Sequence, residues 1–122
     1  MATLTPSLTL TSTDATTDSL NITLSDSLTT AGDVLSTRIA TSTTAAVFLA
    51  ASDYGKSYIM LKNLSSTSAE KIYIRSGATG SANVLEIGAG EFTFFPWASD
   101  EDLVYDADSG TPTLEVMLWE VA

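Results

Sequence analysis

Two absences narrow the chemistry of this 122-residue chain before any pattern is read: it has no histidine and no cysteine. Without histidine, the commonest general base and metal ligand is gone, and with it Ser–His–Asp triads and His-based metal sites. Without cysteine there is no disulfide framework, thiolate metal site or Cys–His nucleophile, so the fold must be held by apolar packing, and the redox compartment stays open. Base is also scarce. Residues 1–37 carry four Asp and no Lys or Arg, residues 76–122 carry nine acids and no base, and all five bases lie between Arg38 and Arg75. The formal charge is −10. Such a surface repels phosphate, so binding of nucleic acid or an anionic membrane is disfavoured. No stretch approaches the roughly 20 apolar residues of a membrane span, and the N-terminal "MATLTPSLTLTSTD" has neither a basic n-region nor an apolar h-region. The expectation is a soluble protein outside the general secretory route, with one domain's worth of chain.

What is present is β-pattern. Ser and Thr fill half of the first thirty residues, yet "SLTLTST" and "LNITLS" alternate apolar with small polar residues. That spacing puts Leu8 and Leu10, and then Leu20, Ile22 and Leu24, on one face of extended strands. Residues 1–30 are therefore expected to form an extended arm or edge-strand segment, and 31–122 a β-sandwich domain. In "AAVFLAAS" the alanines favour helix, but its short length between Thr-rich and "SDYG" turn signals predicts a strand. "SYIMLKNL" sets Ile59 and Leu61 against Tyr58, Met60 and Lys62, and "KIYIRSG" sets Ile72 and Ile74 against Tyr73 and Arg75. The polar "SSTSAE" between them predicts a hairpin. "EFTFFPWASDED" reads as a strand with Phe92 and Phe94 facing the core, Phe95 on the opposite face, and Pro96 ending the ladder. In "TLEVMLWEV" both faces are apolar: Leu114, Val116 and Leu118 on one, Met117, Trp119 and Val121 on the other. A sandwich strand meets the core with one face only, so the second set needs other cover. The pattern predicts an all-β antiparallel sandwich, the jelly roll being one candidate topology.

The search for chemistry yields fragments. A Ser–Lys pair would have to use Lys56, Lys62 or Lys71, and no motif marks a serine for it. The calcium candidates are Asp100, Asp102, Asp106 and Asp108, but "DADSGTPTLE" does not hold the EF-hand register, and no carboxylate pair is singled out for glycoside hydrolysis. "GATGSAN" and "GAG" lack the strand-to-helix setting and lysine of phosphate-binding loops. The sequons at Asn21 and Asn63 are expected coincidences in a Ser/Thr-rich chain. Tyr54 and Trp97 could stack on a sugar ring or serve packing. No catalytic residue and no cofactor is expected, and the reading is of a protein that is not an enzyme.

Taken together, "YIMLKNLSSTSAEKIYIRSG", "LEIGAGEFTFFPW" and "LEVMLWEVA" resemble the C-terminal part of small structural proteins of tailed-phage virions, particularly those of cyanophages and marine phages. The match covers roughly residues 57–122. What the resemblance implies is a capsid decoration, or cement, protein: made in the host cytoplasm, placed on the capsid exterior, binding the major capsid protein and often forming a homotrimer. On that reading Met117, Trp119 and Val121 pack between subunits. Phe95 and Trp97 either join them or complete the chain's own core. The alternative is a tail, fibre or glycan-recognition module using the loops "SGATGSAN" and "ASDEDLVYDADSG".

Overall fold

The computed structural model describes residues 1–15 and 17–122; Thr16, in the Ser/Thr-rich arm, lies outside them. The chain divides into two compact units, residues 1–32 together with Ala122, and residues 33–121.

The first unit holds β1 (Ala2–Leu4), β2 (Ser7–Ser12), β3 (Leu20–Ser25) and the start of β4 (Leu28–Ala40). β1 pairs antiparallel with the first residues of β4, Ala2 opposite Thr30 and Leu4 opposite Leu28. β2 and β3 form a two-stranded ribbon in which Leu8 faces Leu24 and Leu10 faces Ile22. Because side chains alternate, these four share one face, while Thr9 and Thr23, whose hydroxyls lie 3.4 Å apart, share the other. All four aliphatic side chains are exposed, by 41 to 58 %.

The second unit contains the rest of β4, then β5 (Ala46–Leu49), β6 (Ser57–Asn63), β7 (Ile72–Ser76), β8 (Asn83–Ile87), β9 (Phe92–Trp97), β10 (Leu103–Ala107) and β11 (Thr113–Val121). "AVFL" is thus a strand, followed by one 3-10 turn at Ala51–Asp53. The main sheet runs β4-β11-β6-β9 and the second sheet β5-β10-β7-β8. Numbering β4 to β11 as strands one to eight, those orders are 1-8-3-6 and 2-7-4-5, the jelly-roll arrangement. The fold is all-β and antiparallel, as the alternation predicts.

Between the sheets lie Ile59, Leu61, Leu114, Val116 and Leu118 from the main sheet and Leu49, Ile72, Ile74, Ile87 and Leu103 from the second. Each fully buried aliphatic side chain of this kind is worth roughly 1.5–3 kcal/mol of transfer free energy. The period-two readings of β6, β7 and β11 hold residue by residue.

Two strand readings need correction. β6 and β7 do not form a hairpin: β6 pairs with β11 and β9, and β7 with β10 and β8. Residues 64–71 instead cross from one sheet to the other, and Asn63 anchors the crossing. Fully buried, its Nδ2 donates to the carbonyls of Glu70 (2.8 Å) and Ile87 (3.1 Å), and its Oδ1 accepts from the Ser65 N–H (3.0 Å).

The second correction concerns β9. Thr93, Phe95 and Trp97 face inward, whereas Phe92, Phe94 and Pro96 face outward, opposite Lys62, Met60 and Tyr58. Either phase of "FTFFPW" would bury two aromatics, and the observed one buries the tryptophan, the largest apolar surface available. Pro96 does not end the ladder, since Trp97 still pairs with Ser57; β9 is an edge strand, where a missing N–H is tolerated.

The acids after β9 serve the scaffold. Ser99, at φ +65°, donates its hydroxyl to the carbonyls of Ala51 and Tyr54, and Asp102 Oδ1 accepts from the Ala51 N–H at 2.8 Å. These three bonds lash the β9–β10 loop to the 3-10 turn. On the second sheet the Arg75 guanidinium forks to Asp106, to the Thr79 carbonyl and to Asn83 Oδ1 (2.7 Å), joining β7, β8, β10 and the loop between β7 and β8. Arg75→Ala should lower stability by about 2 kcal/mol, since it leaves the half-buried Asp106 carboxylate without its charged partner. Urea unfolding followed by tryptophan fluorescence reads that loss. Nearby, Glu86 lies 3.3 Å from Lys71 and raises the ammonium's pKa above its ordinary value, an exposed pair on the strand rim.

Candidate functional site

The outward face of the main sheet follows from strand register. Glu115, Lys62 and Phe92 form one row across β11, β6 and β9; Met117, Met60 and Phe94 form the next; Trp119, Tyr58 and Pro96 the third. β4 completes the face on the far side of β11. Its Arg38 reaches Glu115 at 3.3 Å, and Val34 lies two alternations earlier in the strand.

Aromatic contacts tie the rows diagonally. Phe94 stacks on Tyr58, with centroids 6.2 Å apart and planes at 11°, and meets Trp119 at 6.4 Å and 52°. Ring pairs in these geometries contribute about 0.5–1.5 kcal/mol beyond area burial. The surface remains open to water: Phe92 is 62 % exposed and Phe94 37 %. The two apolar rows across three strands, with Phe92 beside them, make a field roughly 15 Å by 10 Å, bordered by Lys62, Arg38 and Glu115. Aromatics, methionine and arginine are the residues enriched in the cores of protein–protein interfaces.

This divides the five residues that the sequence offers as an interface. Met117 and Trp119 stand in the outer field, and Val121 follows them on the same side of β11. Phe95 and Trp97 belong to the core side instead: Trp97 is 7 % exposed and packs at 6.4 Å against Tyr54, and Phe95 lies against the buried cluster. Of the two places the sequence leaves open for them, the core side is the one they occupy. Tyr58, Met60, Phe92 and Phe94 join the field although the sequence reading did not assign them to it. The available signal was the opposition of Tyr58 and Met60 to the buried Ile59 and Leu61.

The acids do not assemble. Asp102 is held by Ala51 and Asp106 by Arg75, Asp100 and Asp108 are exposed, and among the described residues no three His, Cys, Asp or Glu are grouped to hold a metal ion. Asn63 is buried, so its sequon is closed to modification, while Asn21 is exposed on the ribbon.

One open cleft of about 480 Å³ lies beside the connection from β6 to β7, with Arg38, Ser65, Thr67, Glu70 and Thr111 on its walls. Its charged groups are already engaged, Arg38 with Glu115 and Glu70 with the Ser65 hydroxyl. Among the described residues no buried side-chain donor or acceptor is left without a partner. Nor is any helix among them long and apolar enough to cross a membrane.

The chain is a β jelly roll whose most distinctive surface is an apolar sheet face. No protein-family model, no curated protein and no solved structure matches it.

Proposed function

We propose that this protein is a non-enzymatic structural component of a phage virion, a decoration protein on the exterior of the assembled head that stabilises contacts between major capsid subunits. The observation that carries the reading is the outer face of the main sheet. Tyr58, Met60, Phe92, Phe94, Met117 and Trp119 offer a contact surface on a domain in which Asp102 and Asp106 are bound to its own scaffold. The sequence resemblance supports the same reading. The formal charge of −10 suits a protein displayed at high density that must not gather DNA.

Clamping would work by mass action. A protein that binds the closed shell and not its free subunits stabilises the shell by RT ln(1 + [L]/Kd) per site, and symmetry repeats that contribution over the surface. Added to heads that lack it, the protein should bind saturably, in hundreds of copies, and raise their thermal resistance. A preparation that ignores heads but is retained on host surface sugars would instead indicate the glycan-recognition module.

A further inference from the structure

β4 has β11 on one side along the main sheet; on the other, β1 pairs with Leu28, Thr29 and Thr30, and among the described residues no strand continues that pairing along residues 33–40. The direction of the main-chain groups follows from two bonds. Thr41 donates its N–H to the Pro112 carbonyl at 3.1 Å, and the Thr29 carbonyl accepts from the Ala122 N–H at 3.5 Å, so odd-numbered residues of β4 turn their amides towards β11. Val34, Ser36, Arg38 and Ala40 turn theirs to the open side.

The other border strands are blunted. β9 carries Pro96, β5 has four residues and β8 five, and the last two lie beside register shifts at Leu103/Val104 and Ile74/Arg75. From Val34 to Ala40, β4 has no proline, and its one charge, Arg38, is tied to Glu115 of its own sheet. We propose that a second copy of the chain occupies this edge, its β4 running antiparallel to the first about a two-fold axis at Thr37, so that two main sheets become one.

A bare edge is matched only by another extended strand, and the segment selects a copy of itself. "VLSTRIA" reads as two apolar, three polar and two apolar residues, a palindrome centred on Thr37. With the axis there, Val34 meets the partner's Ala40, Leu35 the partner's Ile39, and Ser36 the partner's Arg38. The four residues with open amides then face one another, and each pair exchanges two bonds, about eight in all. An axis at Arg38 would set two guanidiniums face to face, and one at Ser36 would set Val34 against the partner's Arg38. Leu35 and Ile39 pack against the core yet are only half-buried, so the pairing covers what the border leaves open.

Such a contact uses the same patch on both copies and closes at two. It leaves both outer apolar fields uncovered, on one side of the joined sheet, and does not depend on the function proposed above. It is narrower than the approximately 800 Å² per partner of a standard interface, so the dimer is reversible and populated at roughly 100 μM protein.

The lack of native cysteine makes the test direct. In this register Thr37 lies about 4.5 Å, Cα to Cα, from its counterpart, within disulfide reach, whereas Val34 lies roughly 20 Å from its own. Under a mild oxidant Thr37→Cys should dimerise at least tenfold faster than Val34→Cys alone, and Val34→Cys should cross-link to Ala40→Cys. In sedimentation at about 100 μM the wild type should run as a dimer. Ser36→Pro, which removes an N–H on the open side, and Ser36→Lys, which sets a like charge opposite the partner's Arg38, should each weaken it at least tenfold with the unfolding midpoint unchanged. Trp119→Glu should leave the dimer as it is. Val34→Cys cross-linking to itself as fast as Thr37→Cys does would overturn the proposal, as would a trimer, or a wild type that is monomeric at that concentration with Thr37→Cys left uncross-linked. A dimer lost in Trp119→Glu and kept in Ser36→Pro would overturn it in favour of the outer face. All these readings are made on free protein, so their failure is distinguishable from a failure to bind heads.

Discussion

Asn63→Leu should cost about 3–5 kcal/mol of folding stability, more than most single truncations in the core. Leucine has the same number of side-chain heavy atoms as asparagine and the same branching, so shape is not what decides the outcome. Three backbone groups are left without partners: the Ser65 N–H and the carbonyls of Glu70 and Ile87. Each buried orphan costs roughly 1–3 kcal/mol, and relaxation of the 64–71 connection towards water recovers part of that. The Asn63 main chain also bonds to the 88–91 turn, its N–H to the Glu91 carbonyl and its carbonyl to the Gly90 N–H, both at 3.0 Å. Loss of the side chain therefore loosens the second sheet's grip on β6 at two corners. Urea denaturation should show a lowered midpoint, and hydrogen exchange should show the amides of 64–71 and 88–91 opening first. An unchanged midpoint would mean that the side-chain bonds contribute little. Asn63→Asp keeps the acceptor but turns a carboxylate oxygen towards the Glu70 and Ile87 carbonyls in a fully buried site, so at neutral pH it should be no more stable than the leucine variant.

Trp119→Glu should behave in the opposite way, with the fold intact and head binding lost. The side chain stands on the outer face, opposite Tyr58 on β6 and in a tilted pair with Phe94. Removing that pair costs about 0.5–1.5 kcal/mol, so the variant remains folded. A carboxylate in the middle of a desolvated contact is a different matter. Truncating a central aromatic anchor alone commonly costs 2 kcal/mol or more, about 30-fold in Kd, and burying an unpaired charge adds to it. Head binding should fall at least 30-fold while the unfolding midpoint barely moves. Trp119→Phe should restore most of the binding. If Trp119→Glu binds as wild type does, the outer face is not the contact surface.

How much of this was readable in advance depends on the strand. In β11 the alternation of Leu114, Val116 and Leu118 against Met117 and Trp119 is unambiguous, and both faces could be assigned. β9 could not be phased, because Phe92, Phe94, Phe95 and Trp97 occupy both parities and only pairing with β6 selects one. The hairpin expected of β6 and β7 failed for a related reason: eight polar-rich residues can turn within a sheet or cross between sheets. What decides is the burial of Asn63, which a lysine and leucine on either side do not announce. The outer apolar field was legible only in the part lying on one strand. Its completion by Tyr58, Met60, Phe92 and Phe94 depends on long-range register, which local periodicity does not carry. Asp102 and Asp106 invited a metal reading by composition, and their actual work, holding the Ala51 amide and the Arg75 guanidinium, depends on residues 31 or more positions away.

The position of β11 between β4 and β6 sets an order of events for a growing chain. These three strands are neighbours in space, yet the one in the middle leaves the ribosome last. Until Thr113–Val121 emerges, β4 is paired only through its first residues, with β1, and β6 can pair only with β9. The local β7–β8 hairpin can form early, but the sheet that carries the aromatic field closes only once β11 has been made. A chain that stops short of β11 therefore lacks the row in which Met117 stands beside Met60 and Phe94.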